Sequence, residues 1–115
     1  MQECMPFWQT TPCPPWCTIG HRDADFPEDR LHRPEIKLAT VKLTTSNPIR
    51  CRRADGEWYF ESPEINIDLE QHVRETTPRI LLSEVNSPGY SLTPTEAVEI
   101  GRALIAAGKL ADETA

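Results

Sequence analysis

Two cysteines and two histidines carry the chemistry this sequence offers most plainly. Cys13, Cys17, His21 and His32 stand in the order Cys-x3-Cys-x3-His-x10-His. Two soft thiolates and two imidazoles at that density form the donor set of a closed, tetrahedral structural zinc site. The Cys-x3-Cys arm is short enough for one turn of backbone to bring both sulfurs to one ion. Pro14 and Pro15 fix φ at two of the intervening positions, so less chain entropy is lost when the turn closes. Trp16 supplies an apolar lid that would shield the thiolates from water. The expected cofactor is therefore a structural Zn2+ ion, with Cys4 a substitute ligand should His32 lie too far away. The long interval between the histidines departs from the three-to-five-residue spacing of a DNA-reading finger.

Other reactive residue types are present, but their patterns are weaker. Asp23 and Glu28 are candidate general bases only if the metal keeps an open position. The charged run over residues 22–33 that holds them reads first as a solvated loop. No paired carboxylate, nucleophile triad or phosphate-cradling glycine loop is visible, so no catalytic residue is expected. Arg50, Arg52 and Arg53 precede Trp58 and Tyr59, a combination that could grip a nucleic acid through phosphate contacts and base stacking. The blander reading is surface arginines paired with Glu57 and Glu61. His72 is too isolated to be read as a ligand, and Cys51 reads as a small apolar sheet residue.

Composition bounds these readings. The chain has 115 residues, the size of one domain. Only 38% are hydrophobic and 11 are proline, so a core would be thin and a metal clip would offset the shortage. The formal charge of −6 disfavours contact with phosphate backbones. The first residues lack a basic region followed by an apolar run, and no stretch approaches the roughly 20 apolar residues that span a bilayer. A cytoplasmic chain without membrane contact is expected. In a reducing compartment, cysteines clustered with histidines suggest metal, whereas the even count of four would suggest two disulfides in a secreted chain.

The elements that must position the site read as α+β: a small antiparallel sheet of four to five strands, one C-terminal helix packed on it, and an N-terminal Cys/His metal-binding loop. The expected segments are an irregular lead (1–12), the metal loop (13–33), the sheet (34–92), the helix (93–110) and a disordered tail (111–115). Ile36, Leu38 and Thr40 alternate before Val41 and Leu43 reverse the phase, which suggests a bulge. Asp55-Gly56 between two β-prone runs predicts a two-residue hairpin turn, pairing Arg53 with Trp58 and Cys51 with Phe60. Ile65, Ile67 and Leu69 alternate with Asn66, Asp68 and Glu70, the mark of a half-exposed strand. Residues 71–78 read as a polar turn, 80–85 as a strand, 86–89 as a turn and 90–92 as a short return. Thr93, Pro94 and Glu96 form a capping box with proline at the first helical position. Ala97, Ile100, Gly101, Leu104 and Gly108 then make one apolar stripe, expected to lie against the sheet with Gly101 at a close approach.

With these residues in view, the chain resembles a family of small, uncharacterised proteins of actinobacteria and their phages. The resemblance rests on the Cys-Pro-x-Trp-Cys segment at 13–17 with His21 and His32, and on Leu92-Thr93-Pro94-Thr95-Glu96-Ala97 leading into the helix. It covers both ends and is poor over 47–77. It implies a zinc-like Cys/His site on an α+β domain and implies no activity. The function expected is a non-enzymatic zinc-binding interaction module that binds and modulates a host protein. Nucleic-acid binding through the Arg50–Arg53 hairpin is the alternative, and a metal-dependent hydrolase stands behind it.

Overall fold

The computed structural model describes residues 5–44, 48–84 and 87–114. Cys4, Ser46 and Asn47 of the expected break, Val85 at the end of the expected strand, Asn86 at the start of the expected turn, and Ala115 lie outside them. Seven strands and one helix follow in chain order: β1 (Leu31–His32), β2 (Ala39–Lys42), β3 (Ile49–Arg52), β4 (Trp58–Glu61), β5 (Glu64–His72), β6 (Arg79–Glu84), β7 (Tyr90–Leu92) and α1 (Pro94–Thr114). The architecture is α+β, an antiparallel sheet with one C-terminal helix and an N-terminal Cys/His cluster.

β5 is the axis of the sheet. One edge pairs with β6 along almost its whole length, from Ile65 opposite Glu84 to Glu70 opposite Arg79. The other edge is shared end to end: β2 pairs near its start, with Ala39 opposite Ile67, and β1 near its end, with Leu31 opposite His72. β7 closes the far side against β6. The phase reversal near residue 40 is the onset of β2 and not a bulge, because Ile36 and Leu38 precede the strand and are exposed. β5 also continues through His72, two residues into the segment expected to turn. Its supposed solvent face is partly covered, since Asn66 is buried and its Oδ1 accepts from the Thr40 hydroxyl of β2 at 3.0 Å. At the return into β7, Gly89 has φ +70°, and a Cβ there would overlap the Leu82 carbonyl oxygen. Only glycine fits that corner.

β3 and β4 form a separate two-stranded sheet, in a register one residue away from that expected. Arg52 lies opposite Trp58, Cys51 opposite Tyr59 and Arg50 opposite Phe60. The cause is the turn. Gly56 has φ +91°, its N–H donates to the Arg53 carbonyl at 2.9 Å, and the Arg53 N–H donates to the Glu57 carbonyl at 2.8 Å. The loop is therefore Ala54-Asp55-Gly56, a three-residue turn closed by a glycine bulge. One residue of slip exchanges the faces, so Cys51 no longer shares one with Phe60.

α1 starts as expected. Glu96 N–H donates to Thr93 Oγ1 at 3.2 Å, and Thr93 N–H donates back to Glu96 Oε1 at 2.8 Å. The Thr93 N–H, followed by the Thr93 hydroxyl, holds the Glu96 carboxyl below its usual range. The helix meets β6 and β7 at its beginning, where Ala97 and Gly101 are half-buried. Beyond that it runs clear of the sheet and continues through Thr114, where a disordered tail was expected. A side chain at Gly101 would meet nothing within 4 Å, so the expected close approach is absent. Among the described residues no aliphatic or aromatic side chain is fully buried.

Candidate metal centre

A turn, a loop and a strand converge on one point. Pro14 and Pro15 set a tight turn in which the Cys17 N–H donates to the Pro14 carbonyl at 3.0 Å. The chain then passes Thr18, which ties the loop to the stretch after β1. Thr18 N–H donates to the Arg33 carbonyl at 3.1 Å, and its hydroxyl accepts from Glu35 N–H at 2.7 Å. β1 is fixed in turn by its pairing with β5 and by Val73 N–H donating to the Arg30 carbonyl at 2.9 Å. His32 is thereby held from the sheet side, and Cys13, Cys17 and His21 from the loop side.

The ligand atoms of Cys13, Cys17, His21 and His32 all lie within 4.8 Å of one another, close enough to hold a metal ion. Cys17 Sγ and His21 Nε2 are 3.5 Å apart. Metal–sulfur and metal–nitrogen bonds of about 2.3 and 2.0–2.1 Å at a tetrahedral centre place those atoms about 3.6 Å apart. Nδ1 of His21 and Nδ1 of His32 are buried without a hydrogen-bond partner. The two imidazoles pack edge to face at 5.3 Å, and a metal on His32 Nδ1 would satisfy one of these two nitrogens. The donor set and its spacing fit a four-coordinate ion. No carboxylate joins this cluster among the described residues.

Electrostatics at the site point the same way. Burial, with the neighbouring His21 adding to it, holds the His32 imidazole below its ordinary 6.5 and so favours the neutral ring that has a lone pair to give. Burial pushes the Cys17 thiol above its ordinary 9.0, and the Cys13 thiol adds to the shift; N–H groups of Arg33 and Ile19 oppose it by hydrogen bonding to the sulfur. A metal ion would have to displace that proton, and the two N–H donors would then stabilise the thiolate.

The N-terminal lead folds over the cluster. Trp8 meets His21 edge-on at 5.4 Å, while its Nε1–H donates to the Arg22 carbonyl at 2.8 Å. Trp16 meets the His32 ring edge-on at 6.5 Å, whereas the lid was expected over the thiolates. Gln9, only 6% exposed, donates from Nε2 to Cys13 Sγ at 3.3 Å and to the Thr11 carbonyl at 2.9 Å. No periodic pattern marks a glutamine in a proline-rich lead, and contact alone reveals its place beside the sulfur.

Residues 5–115 match the family described as Domain of unknown function (DUF6907). The chain belongs to that family. The match to DUF6907 takes in the Cys/His cluster, the sheet and the helix together. No curated protein matches the chain, and no solved structure does.

Other expected site residues of this DUF6907 chain lie elsewhere. Asp23 Oδ1 accepts from Phe7 N–H at 2.9 Å and so serves the loop that holds the lead in place. Glu28 sits exposed on the 3₁₀ turn Pro27–Asp29. His72 has both nitrogens engaged, Nε2–H donating to the Pro27 carbonyl at 2.8 Å and Nδ1 accepting from Arg74 N–H at 3.2 Å. The five hairpin residues divide between two faces. Arg50 and Arg52 stack on Trp58, with Cζ 3.8 and 5.1 Å from the ring centre, while Arg53 stacks on Tyr59 at 4.8 Å. No helix is long and apolar enough to cross a membrane among the described residues.

Proposed function

We propose that the chain is a non-enzymatic interaction module whose N-terminal third is organised by a structural zinc ion on Cys13, Cys17, His21 and His32. The observation that carries this reading is a donor set of two sulfurs and two imidazoles gathered within 4.8 Å, with no carboxylate in it. A site closed by four protein ligands leaves no position for an activated water, so the metal's role is to fold the loop. Cysteine ligands also suit a reducing, cytoplasmic setting.

The surface offered to a partner is the β3–β4 hairpin. Trp58 and Phe60 are 51% and 65% exposed and share a face with Arg50 and Arg52. Tryptophan and arginine are the residue types that dominate binding energy at protein interfaces. A host protein of an actinobacterium, bound and modulated by this hairpin, is the partner we infer. Nucleic acid is the second reading, supported by guanidinium groups held over aromatic rings. Asp55, Glu57 and Glu61 on the same hairpin and the charge of −6 weigh against it.

Binding assays with the metal-loaded chain separate the two. A stoichiometric protein retained from actinobacterial lysate should be lost with Trp58→Ala or Phe60→Ala, with affinity lower by about 30-fold for a hot-spot loss of about 2 kcal/mol. No binding to single-stranded or duplex DNA is expected at low salt. Binding that falls steeply as salt rises would establish the nucleic-acid reading instead.

A further inference from the structure

The chain exposes far more surface than its mass requires. Its accessible surface is 9225 Å² at 13.0 kDa. A compact monomer of that mass exposes roughly 6,300 Å². The radius of gyration is 18.6 Å, whereas a compact chain of this length has about 13 Å. About 2,900 Å² is therefore in excess, and obligate homodimers cover roughly 1,000–2,500 Å² on each subunit. The hairpin and α1 are the two parts that stand away from the sheet.

α1 has the features of a helix built for a second helix. Its apolar stripe continues past the sheet, with Val98, Leu104 and Ile105 51%, 67% and 59% exposed. The helix is 21 residues, about 31 Å long, and none of them is fully buried. Bulky and small side chains alternate along the stripe, Leu104 and Ile105 lying between Gly101 and Gly108. Side chains built at either glycine would meet nothing within 4 Å, so the hollows beside the bulky residues are open. Such a stripe is complementary to itself. In an antiparallel pair with its two-fold axis near residue 106, Leu104 of each copy sits over Gly108 of the other, and the approach is close because glycine lacks a side chain. Among the described residues no hydrophobic side chain is fully buried, so the fold calls for cover from outside the chain. A second copy is the partner made wherever the chain is made, and cover by it ties stability to protein concentration.

We propose that α1 pairs antiparallel with α1 of a second copy through the Gly101–Leu104–Ile105–Gly108 face, making the folded protein a homodimer. The proposal is independent of the metal reading. Sedimentation equilibrium of the reduced, metal-loaded full chain should give twice the monomer mass, and the melting temperature should rise with protein concentration. Leu104→Glu should halve the mass, whereas Ala106→Glu, on the opposite face of the helix, should leave it unchanged. If Leu104→Glu does not fold, Leu104→Ala should show the same effect as a dimer that dissociates at higher concentration. A wild-type monomer at tens of micromolar overturns the proposal, whether or not a different protein then covers the helix. So does a dimer that Leu104→Glu and Ile105→Glu both leave intact.

Discussion

Chelating the metal from the reduced protein is expected to release residues 5–35 from protection against hydrogen exchange and to lower the melting temperature by roughly 10–20 °C. That drop corresponds to a loss of about 3 kcal/mol for a domain of this size. The direction follows from linkage: where a metal site exists only in the folded chain, its binding free energy is folding free energy. The magnitude is a lower estimate, because structural zinc contributes about 10–16 kcal/mol in small metal-folded peptides. Without the ion, the buried His32 Nδ1 is left without a partner, and no fully buried hydrophobic side chain compensates among the described residues. Cys17→Ser should reproduce the effect of chelation. Cys51→Ser, on the hairpin, should change neither metal content nor protection over residues 5–35. Retained protection over that segment in the chelated protein would show that the loop folds without metal.

Metal affinity should depend steeply on pH, with a sign set by the two ligands whose titration the fold shifts. Binding displaces the proton that burial holds on Cys17, so affinity should rise about 10-fold per pH unit from neutrality upward. The raised Cys17 value extends that rise above 9.0. The lowered His32 value means that protons compete with the metal for its imidazole only below 6.5, where the dependence steepens further. The metal-free chain has its own signature. A depressed histidine contributes stability that is complete above 6.5 and lost as pH falls through the folded value. A raised thiol contributes stability that is complete below 9.0 and lost as pH rises through the folded value. The metal-free melting temperature should therefore peak between these limits, and metal should abolish the alkaline decline by holding Cys17 as thiolate. Competition titrations with a chromophoric chelator from pH 6 to 9 measure the slope; a flat profile would rule out thiolate ligands.

The site was legible because its signal is local and chemical. Four ligands of two types at short spacing, stiffened by Pro14 and Pro15, need only one turn and one strand to meet. The capping box at Thr93 was legible for the same reason, since both hydrogen bonds lie within four residues. The hairpin was recognised but misregistered. Asp-Gly marks both the two-residue turn and the three-residue turn with a glycine bulge, and only the Gly56 N–H to Arg53 bond decides between them. The destination of the α1 stripe could not be read. An amphipathic pattern states that one face wants cover and is silent about which surface supplies it. Gln9 and Asn66 were invisible for the converse reason, as polar residues whose burial depends on what folds over them.

The central claim is that one metal ion sits among Cys13, Cys17, His21 and His32. Its most direct test is elemental analysis of the protein purified under reducing conditions, followed by cobalt substitution. One equivalent of zinc is expected, replaced by cobalt with the visible spectrum of a tetrahedral centre carrying thiolate charge transfer. Cys17→Ser and His32→Ala should each weaken or abolish that spectrum. Unmodified protein that is folded, reduced and free of metal, and that takes up no cobalt, would contradict the claim.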